Sequence, residues 1–230
     1  MKFFNKLPIA LIGTVAIIST AQPTAVFASS AFIPSALAAA ATKAEDLFNQ
    51  GEEKYEKRDY QGAIAAYTQA IALNPNYAQA YHNRGIARST LGDNKGAVAD
   101  YNQALRINPN YAKAYYNRGI SRSELGDNQG ALADYNQALR INPNYVFAYN
   151  NRGLARFKLG DKQGAVADYN QALRIDPNHV NAYNNRGLAR RSLGDKQGAI
   201  QDFQKAADLY QKQGDTDNYN RAINNLNKLQ

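Results

Sequence analysis

From residue 44 onward, apolar and small residues recur three and four positions apart, with polar residues between them. In AQAYHNRGIARSTLGDNKGAVADYNQALRINPNY, residues 78–111, they fall at Tyr81, Gly85, Ile86 and Leu91, then at Ala97, Val98, Tyr101, Ala104 and Leu105. That spacing predicts two amphipathic helices. Gly92 suits the left-handed stop of the first helix, and Asp93 can cap the second. Asn108-Pro109 ends the second, because a residue before proline is pushed out of the helical region. The whole pattern returns every 34 residues, at Pro75, Pro109, Pro143 and Pro177, at Gly51, Gly85, Gly119, Gly153 and Gly187, and at Gly92, Gly126, Gly160 and Gly194. A fixed period of this length is the mark of a repeat architecture. The units are 44–77, 78–111, 112–145, 146–179 and 180–213, and the second and third are identical at 28 of 34 positions.

Both ends depart from the pattern. The fifth unit has no closing proline, so its second helix is expected to continue to Gln213 and break at Gly214. In 214–230, Tyr219, Ala222, Ile223, Leu226 and Leu229 share one helical face. A stack of repeats leaves an apolar face on its last member, which a helix with a polar outer side must cover. This segment is expected to be that C-terminal capping helix; the alternative is a helix that docks on another protein. At the other end, Lys2 and Lys6 precede an apolar run from Leu7 to Ile18, followed by Val26-Phe27-Ala28. A basic start, a short apolar stretch and small residues at the cut identify a secretory signal peptide over 1–28. Ala36-Leu37-Ala38 is a second candidate cut, and 29–43 is expected to be an unstructured linker. The competing reading is an uncleaved anchor, although the apolar run falls short of the roughly 20 residues a spanning helix needs.

The residues that carry a resemblance are Tyr81, Gly85, Ala97, Tyr101, Ala104 and Pro109. They recur as Tyr115, Gly119, Ala131, Tyr135, Ala138 and Pro143, and as Tyr149, Gly153, Ala165, Tyr169, Ala172 and Pro177. In this set the chain resembles the tetratricopeptide repeat (TPR) family over residues 44–213. The resemblance implies an all-α, right-handed superhelical solenoid of helix-turn-helix repeats. It also implies a concave groove, lined by the first helices, that holds another protein as an extended peptide or a helix. Arrays of this style look like those common in photosynthetic bacteria. An exported, bacterial-type scaffold is therefore expected, in the periplasm or, in a photosynthetic cell, the thylakoid lumen.

Composition narrows the chemistry. With no Cys and 2 His, the chain offers no thiolate nucleophile, disulfide or Cys-ligated metal. His82 and His179 occupy unrelated repeat positions, and no phosphate-binding or nucleophile motif is present. No catalysis, cofactor or metal is expected. The 27 Lys+Arg exceed the 19 Asp+Glu by 8, but both signs are spread along the chain, which argues against nucleic acid. Membrane contact is expected only if the N-terminal segment is retained. Near-identical repeats also leave end-to-end self-association as an alternative, and Arg106, Arg140 and Arg174 form a solvated outer stripe.

Two sets of polar residues stand out. Units two to five carry arginine pairs four apart, Arg84/Arg88, Arg118/Arg122, Arg152/Arg156 and Arg186/Arg190, where the TPR pattern has apolar residues. The same units carry Asp100, Asp134, Asp168 and Asp202, whereas the first unit has Gln50, Lys54 and Ala66 instead. Partners that disappear together predict contact, in a structural ion-pair ladder suited to bidentate pairing. The second set is an asparagine in every unit, Asn49, Asn83, Asn117, Asn151 and Asn185. A carboxamide both donates and accepts, so the row is a candidate ladder for a peptide backbone. A similar ladder lines the TPR superhelix of O-linked N-acetylglucosamine transferases. His82, Tyr116 and Phe157 are groove candidates beside it. At about 1 kcal/mol per net hydrogen bond, such a ladder predicts roughly micromolar affinity. The family's clamp for chaperone C-terminal carboxylates is not expected, because Phe48, His82, Glu52 and Ile86 stand where its lysine and asparagine would be.

Overall fold

The computed structural model describes residues 32–229. The signal peptide expected over 1–28 lies outside the described residues. Eleven helices and no strand occur among the described residues. They are α1 (Phe32–Glu56), α2 (Tyr60–Leu73), α3 (Ala78–Thr90), α4 (Asn94–Ile107), α5 (Ala112–Glu124), α6 (Asn128–Ile141), α7 (Val146–Lys158), α8 (Lys162–Ile175), α9 (Val180–Ser192), α10 (Lys196–Gln213) and α11 (Thr216–Asn227). Successive helices pair as hairpins, each hairpin leans on the next, and the first helices of neighbouring units touch. The result is the all-α solenoid expected.

Each boundary has a local cause. The carboxylates of Asp59, Asp93, Asp127, Asp161 and Asp195 cap the second helices by accepting from the N–H of Gly62, Gly96, Gly130, Gly164 and Gly198. A side-chain carbon at Gly96 would lie 2.1 Å from its capping carboxylate, which is why that position stays bare. Each second helix closes on Asn74, Asn108, Asn142 or Asp176, directly before the proline. As expected, α10 runs through to Gln213 and stops on Gly214 at φ 71°.

The core is made of notches and rings. A Cβ on Gly85 would come within 2.6 Å of the Tyr101 ring, and the same holds for Gly119 against Tyr135. The absent side chain admits a buried ring between the two helices. Tyr67, Tyr101, Tyr135, Tyr169 and Phe203 fill these slots at 2% exposure or less. Alanines and leucines then seal one unit to the next, as where Ala104, Leu105 and Ala114 meet Tyr81, Tyr111 and Tyr115. At the C-terminal end Ala222, Tyr219 and Ile223 of α11 close over Ala206, Ala207 and Tyr210 of α10.

One boundary differs from expectation. The linker placed at 29–43 is helical from Phe32, and α1 continues unbroken into the first unit. Four consecutive alanines, Ala38 to Ala41, give the stretch the highest helix propensity available. Pro34 falls in the first turn, where its missing N–H costs nothing. The second candidate cut, Ala36-Leu37-Ala38, therefore lies inside a helix.

Candidate functional site

The arginines and aspartates meet as four equivalent clusters. Asp100 is buried on α4. Arg84 on α3 donates to it through Nε at 2.9 Å and Nη2 at 2.6 Å. Arg88 adds a third bond through Nη1 at 2.8 Å. The same geometry joins Arg118 and Arg122 to Asp134, Arg152 and Arg156 to Asp168, and Arg186 and Arg190 to Asp202. Two guanidiniums per carboxylate satisfy a charge that would otherwise be stranded. Each first arginine also lies over a tyrosine ring, as Arg118 does over Tyr115 at 5.3 Å.

A fourth member was not foreseen from the sequence. Arg84 Nη1 reaches back to Thr68 Oγ1 at 3.0 Å, and Arg118, Arg152 and Arg186 reach Asn102, Asn136 and Asn170 at 2.7, 2.9 and 2.6 Å. Each acceptor belongs to the second helix of the preceding unit. The signal was present: an asparagine recurs one residue after the second-helix tyrosine in units two to four. One arginine thus holds its own hairpin together and ties it to the neighbour before it.

The asparagine row behaves differently from the expected backbone ladder. Asn83 Nδ2 donates to Glu52 Oε1 at 3.3 Å, and Asn117 Nδ2 to His82 Nε2 at 3.0 Å. Asn151 Nδ2 donates to Tyr116 Oη at 3.2 Å, and Asn185 Nδ2 to Asn150 Oδ1 at 3.1 Å. Four of the five carboxamides therefore donate one N–H to the first helix of the preceding unit. The row is a lateral tie between units, and each tie uses one of the two N–H donors of its carboxamide. Asn49, in the first unit, is exposed.

His82 sits under the groove wall and is only 4% exposed. Its Nδ1 lies 3.0 Å from Asn83 Oδ1 and 3.2 Å from Tyr111 Oη. An amide nitrogen only donates, so Nε2 must accept from Asn117 and the ring carries its proton on Nδ1. Burial pushes the His82 pKa down, nearby Lys113 adds to this, and the bond with Asn83 opposes it. Neither Tyr116 nor Phe157 borders the hollows described below. Tyr116 is half-buried against Tyr145, with ring centroids 4.8 Å apart, and Phe157 packs on Ala165, Tyr169 and Ala189.

Three hollows open along the first helices of units one to three. The largest, of about 400 Å³, is bordered by Phe48, Glu52, His82, Asn117, Lys113 and Tyr145. A second, of about 210 Å³, lies between Ile86, Thr90, Asn117 and Ile120. The third, of about 150 Å³, lies between Glu52, Tyr55, Glu56, Tyr67, Asn83 and Ile86. Shared residues make the three one continuous trough. Among the described residues no group of three or more His, Cys, Asp or Glu could hold a metal, and no helix is long and apolar enough to cross a membrane.

The comparisons agree with this architecture. The family described as TPR repeat matches residues 51–92, 89–125, 121–160 and 153–194, and the one described as Tetratricopeptide repeat matches 180–213. No curated protein matches the chain. Among solved structures, MamA is 25% identical with a TM-score of 0.68, over 75% of this chain and 94% of that one. YrrB, described as a TPR protein with an unusual peptide-binding site, is 22% identical with a TM-score of 0.67, over 84% of this chain and 98% of that one. The first TPR of Spaghetti (RPAP3), solved bound to the HSP90 peptide SRMEEVD, is 30% identical with a TM-score of 0.52, over 52% of this chain and 95% of that one. No enzyme family is indicated. The chain belongs to the tetratricopeptide repeat family.

Proposed function

We propose that this protein is a non-catalytic scaffold that holds a segment of another protein in the trough along its first helices. The observation that carries the reading is the continuity of that trough over units one to three, with Ile86 and Ile120 on its floor between polar walls. Fixed walls lower the ordering cost of binding, and the buried ion clusters and asparagine ties fix them. The peptide-bound relative supports a segment as the occupant. That relative's peptide, SRMEEVD, is rich in carboxylates; here the trough begins with Glu52 and Glu56, which would repel such a tail.

The test is binding of an array of labelled dodecapeptides to the protein and to Ile86→Asp/Ile120→Asp. Micromolar binding that the double variant loses, with an unchanged melting curve, supports the trough. Binding that survives the substitution overturns it. The first 28 residues support export as the setting. A mature N-terminus at Ser29 in the exported fraction would bear this out, and an intact Met1 in the cytoplasm would refute it.

A further inference from the structure

The first unit breaks the repeat pattern in the trough as well as in the core. Along first-helix positions facing the trough, units two to five carry Ile86, Ile120, Leu154 and Leu188; the first unit carries Glu52. One helical turn on, Thr90, Glu124, Lys158 and Ser192 are matched by Glu56. Glu52 and Glu56 therefore share one face of α1 and repel each other. The fold does not require them, since four sister units do without a carboxylate at the Glu52 position.

These carboxylates border a cavity with aromatic walls. The hollow of about 150 Å³ has Tyr55, Tyr67 and Ile86 as its apolar sides and Asn83 at its edge. Asn83 holds Glu52 Oε1 at 3.3 Å, which orients that carboxylate. Tyr55 is fixed by contact of its hydroxyl with Thr90 at 3.3 Å. No lysine or arginine among the described residues forms a salt bridge with Glu52 or Glu56; Lys54 is turned to Asp59 at 3.2 Å, and Lys57 lies 3.9 Å from Glu53. The burial that shields Tyr67, with the charges of Glu52 and Glu56, pushes its phenol up to about 12, so it stays neutral. A slot with apolar walls and two negative charges at its rim matches an alkyl stem that ends in a cation.

We propose that this hollow takes a lysine or arginine side chain of the bound peptide. The proposal rests on the trough reading and adds its charge and register. The cationic residue sits in the first unit, and the apolar residues that follow it lie on Ile86 and Ile120.

The test uses fluorescein-labelled dodecapeptides with one shared leucine-serine core and with Lys, Arg, norleucine or Glu at one end. Binding is read by fluorescence anisotropy against wild type, Glu52→Gln/Glu56→Gln and Ile86→Asp/Ile120→Asp, each checked by thermal melting. The expected result is about tenfold tighter binding of the Lys and Arg peptides than of the norleucine peptide by wild type. That preference should fall as salt rises and vanish in the glutamine variant, while norleucine binding stays. Equal affinity for Lys and norleucine overturns the cation site while leaving the trough intact, provided Ile86→Asp/Ile120→Asp still loses both. A Lys preference that persists in the glutamine variant also overturns it, because the cation is then read elsewhere. If no peptide binds wild type, the trough itself is lost.

Discussion

The first unit and the four that follow share a backbone but not a core. In units two to five a buried aspartate receives two arginines; in the first, Ala66 occupies that place at 6% exposure, beside Gln50 and Lys54. Yet α1 and α2 pack with the same glycine notch, a Cβ on Gly51 lying 2.5 Å from the Tyr67 ring. The hairpin therefore forms without the ion cluster. The difference lies in what stands before each unit. Arg84, Arg118, Arg152 and Arg186 each reach back to a second helix, and none precedes α1 among the described residues. The cluster acts as a coupling between units, with the aspartate as the anchor that holds the coupling arm at its angle.

The largest effect should come from removing one anchor. Asp134→Ala leaves Arg118 and Arg122 facing each other at 15% and 27% side-chain exposure, with Asp127, 3.9 Å from Arg122 Nε, as the remaining carboxylate beside them. Breaking a buried pair costs about 3–5 kcal/mol. Arg122 keeps partial access to water, so a loss near 3 kcal/mol is expected, measured by urea unfolding. The mirror experiment is Ala66→Asp in the first unit. Alone it buries a carboxylate beside Gln50, with Lys54 already engaged by Asp59, and should destabilise. Adding Gln50→Arg and Lys54→Arg should recover most of the loss. If Asp134→Ala melts like wild type, the coupling role is refuted.

A smaller effect separates two of the lateral ties. The second unit's tie uses His82 and the fourth unit's uses Asn150, and both receive an amide proton from the next unit. Only the first can titrate. His82 faces Asn83, Tyr101, Tyr111, Lys113 and Asn117. Its folded pKa lies below its unfolded value of 6.5, so the unfolded chain binds more protons as the pH drops. Stability is therefore held above about pH 6.5 and lost as acid reaches the ring. Protonation also removes the acceptor that Asn117 uses. His82→Asn places in the second unit what the fourth already carries, so its melting temperature should fall less than wild type between pH 7 and 5. His179 is likewise pushed down by burial and leaves a residual slope in both proteins. An unchanged slope in His82→Asn would show that the ring does not gate this tie.

Much of this fold was legible because a repeat supplies its own controls. Five copies of one helix pattern set the boundaries, and the paired absence of arginine and aspartate in the first unit exposed their contact. The long α10 and the covering α11 followed from a missing proline and an apolar stripe. Three features were hidden. Asn102, Asn136 and Asn170 look like ordinary solvent-facing residues until the superhelical stacking brings the next unit's arginine onto them. The asparagine row was correctly placed along the first helices, but spacing along one chain does not say that each amide turns sideways to the preceding unit. The helical start at Phe32 was masked by a neighbouring apolar stretch that reads as part of a processed leader. For the asparagine contacts the missing information was the angle between units, which packing sets and no single helix encodes; the helical start at Phe32 needed only the local propensity of Ala38 to Ala41.

The smallest effect tests whether the first unit is strained where the others are relaxed. Its two helices are joined through Arg58 at φ 62°, a left-handed conformation, whereas Gly92, Gly126, Gly160 and Gly194 take that turn at φ 83–91°. A non-glycine residue held there costs about 1–2 kcal/mol. Glycine's extra freedom in the unfolded chain takes back roughly 0.5–1 kcal/mol. Arg58→Gly should therefore raise stability by a few tenths to about 1 kcal/mol. Gly126→Ala is its counterpart: a Cβ there meets nothing within 4 Å, so any loss comes from the backbone alone. The two substitutions should shift the melting temperature in opposite directions by similar amounts. Should Arg58→Gly lower it instead, the arginine side chain, exposed and without a salt bridge among the described residues, must be holding something that the turn geometry does not account for.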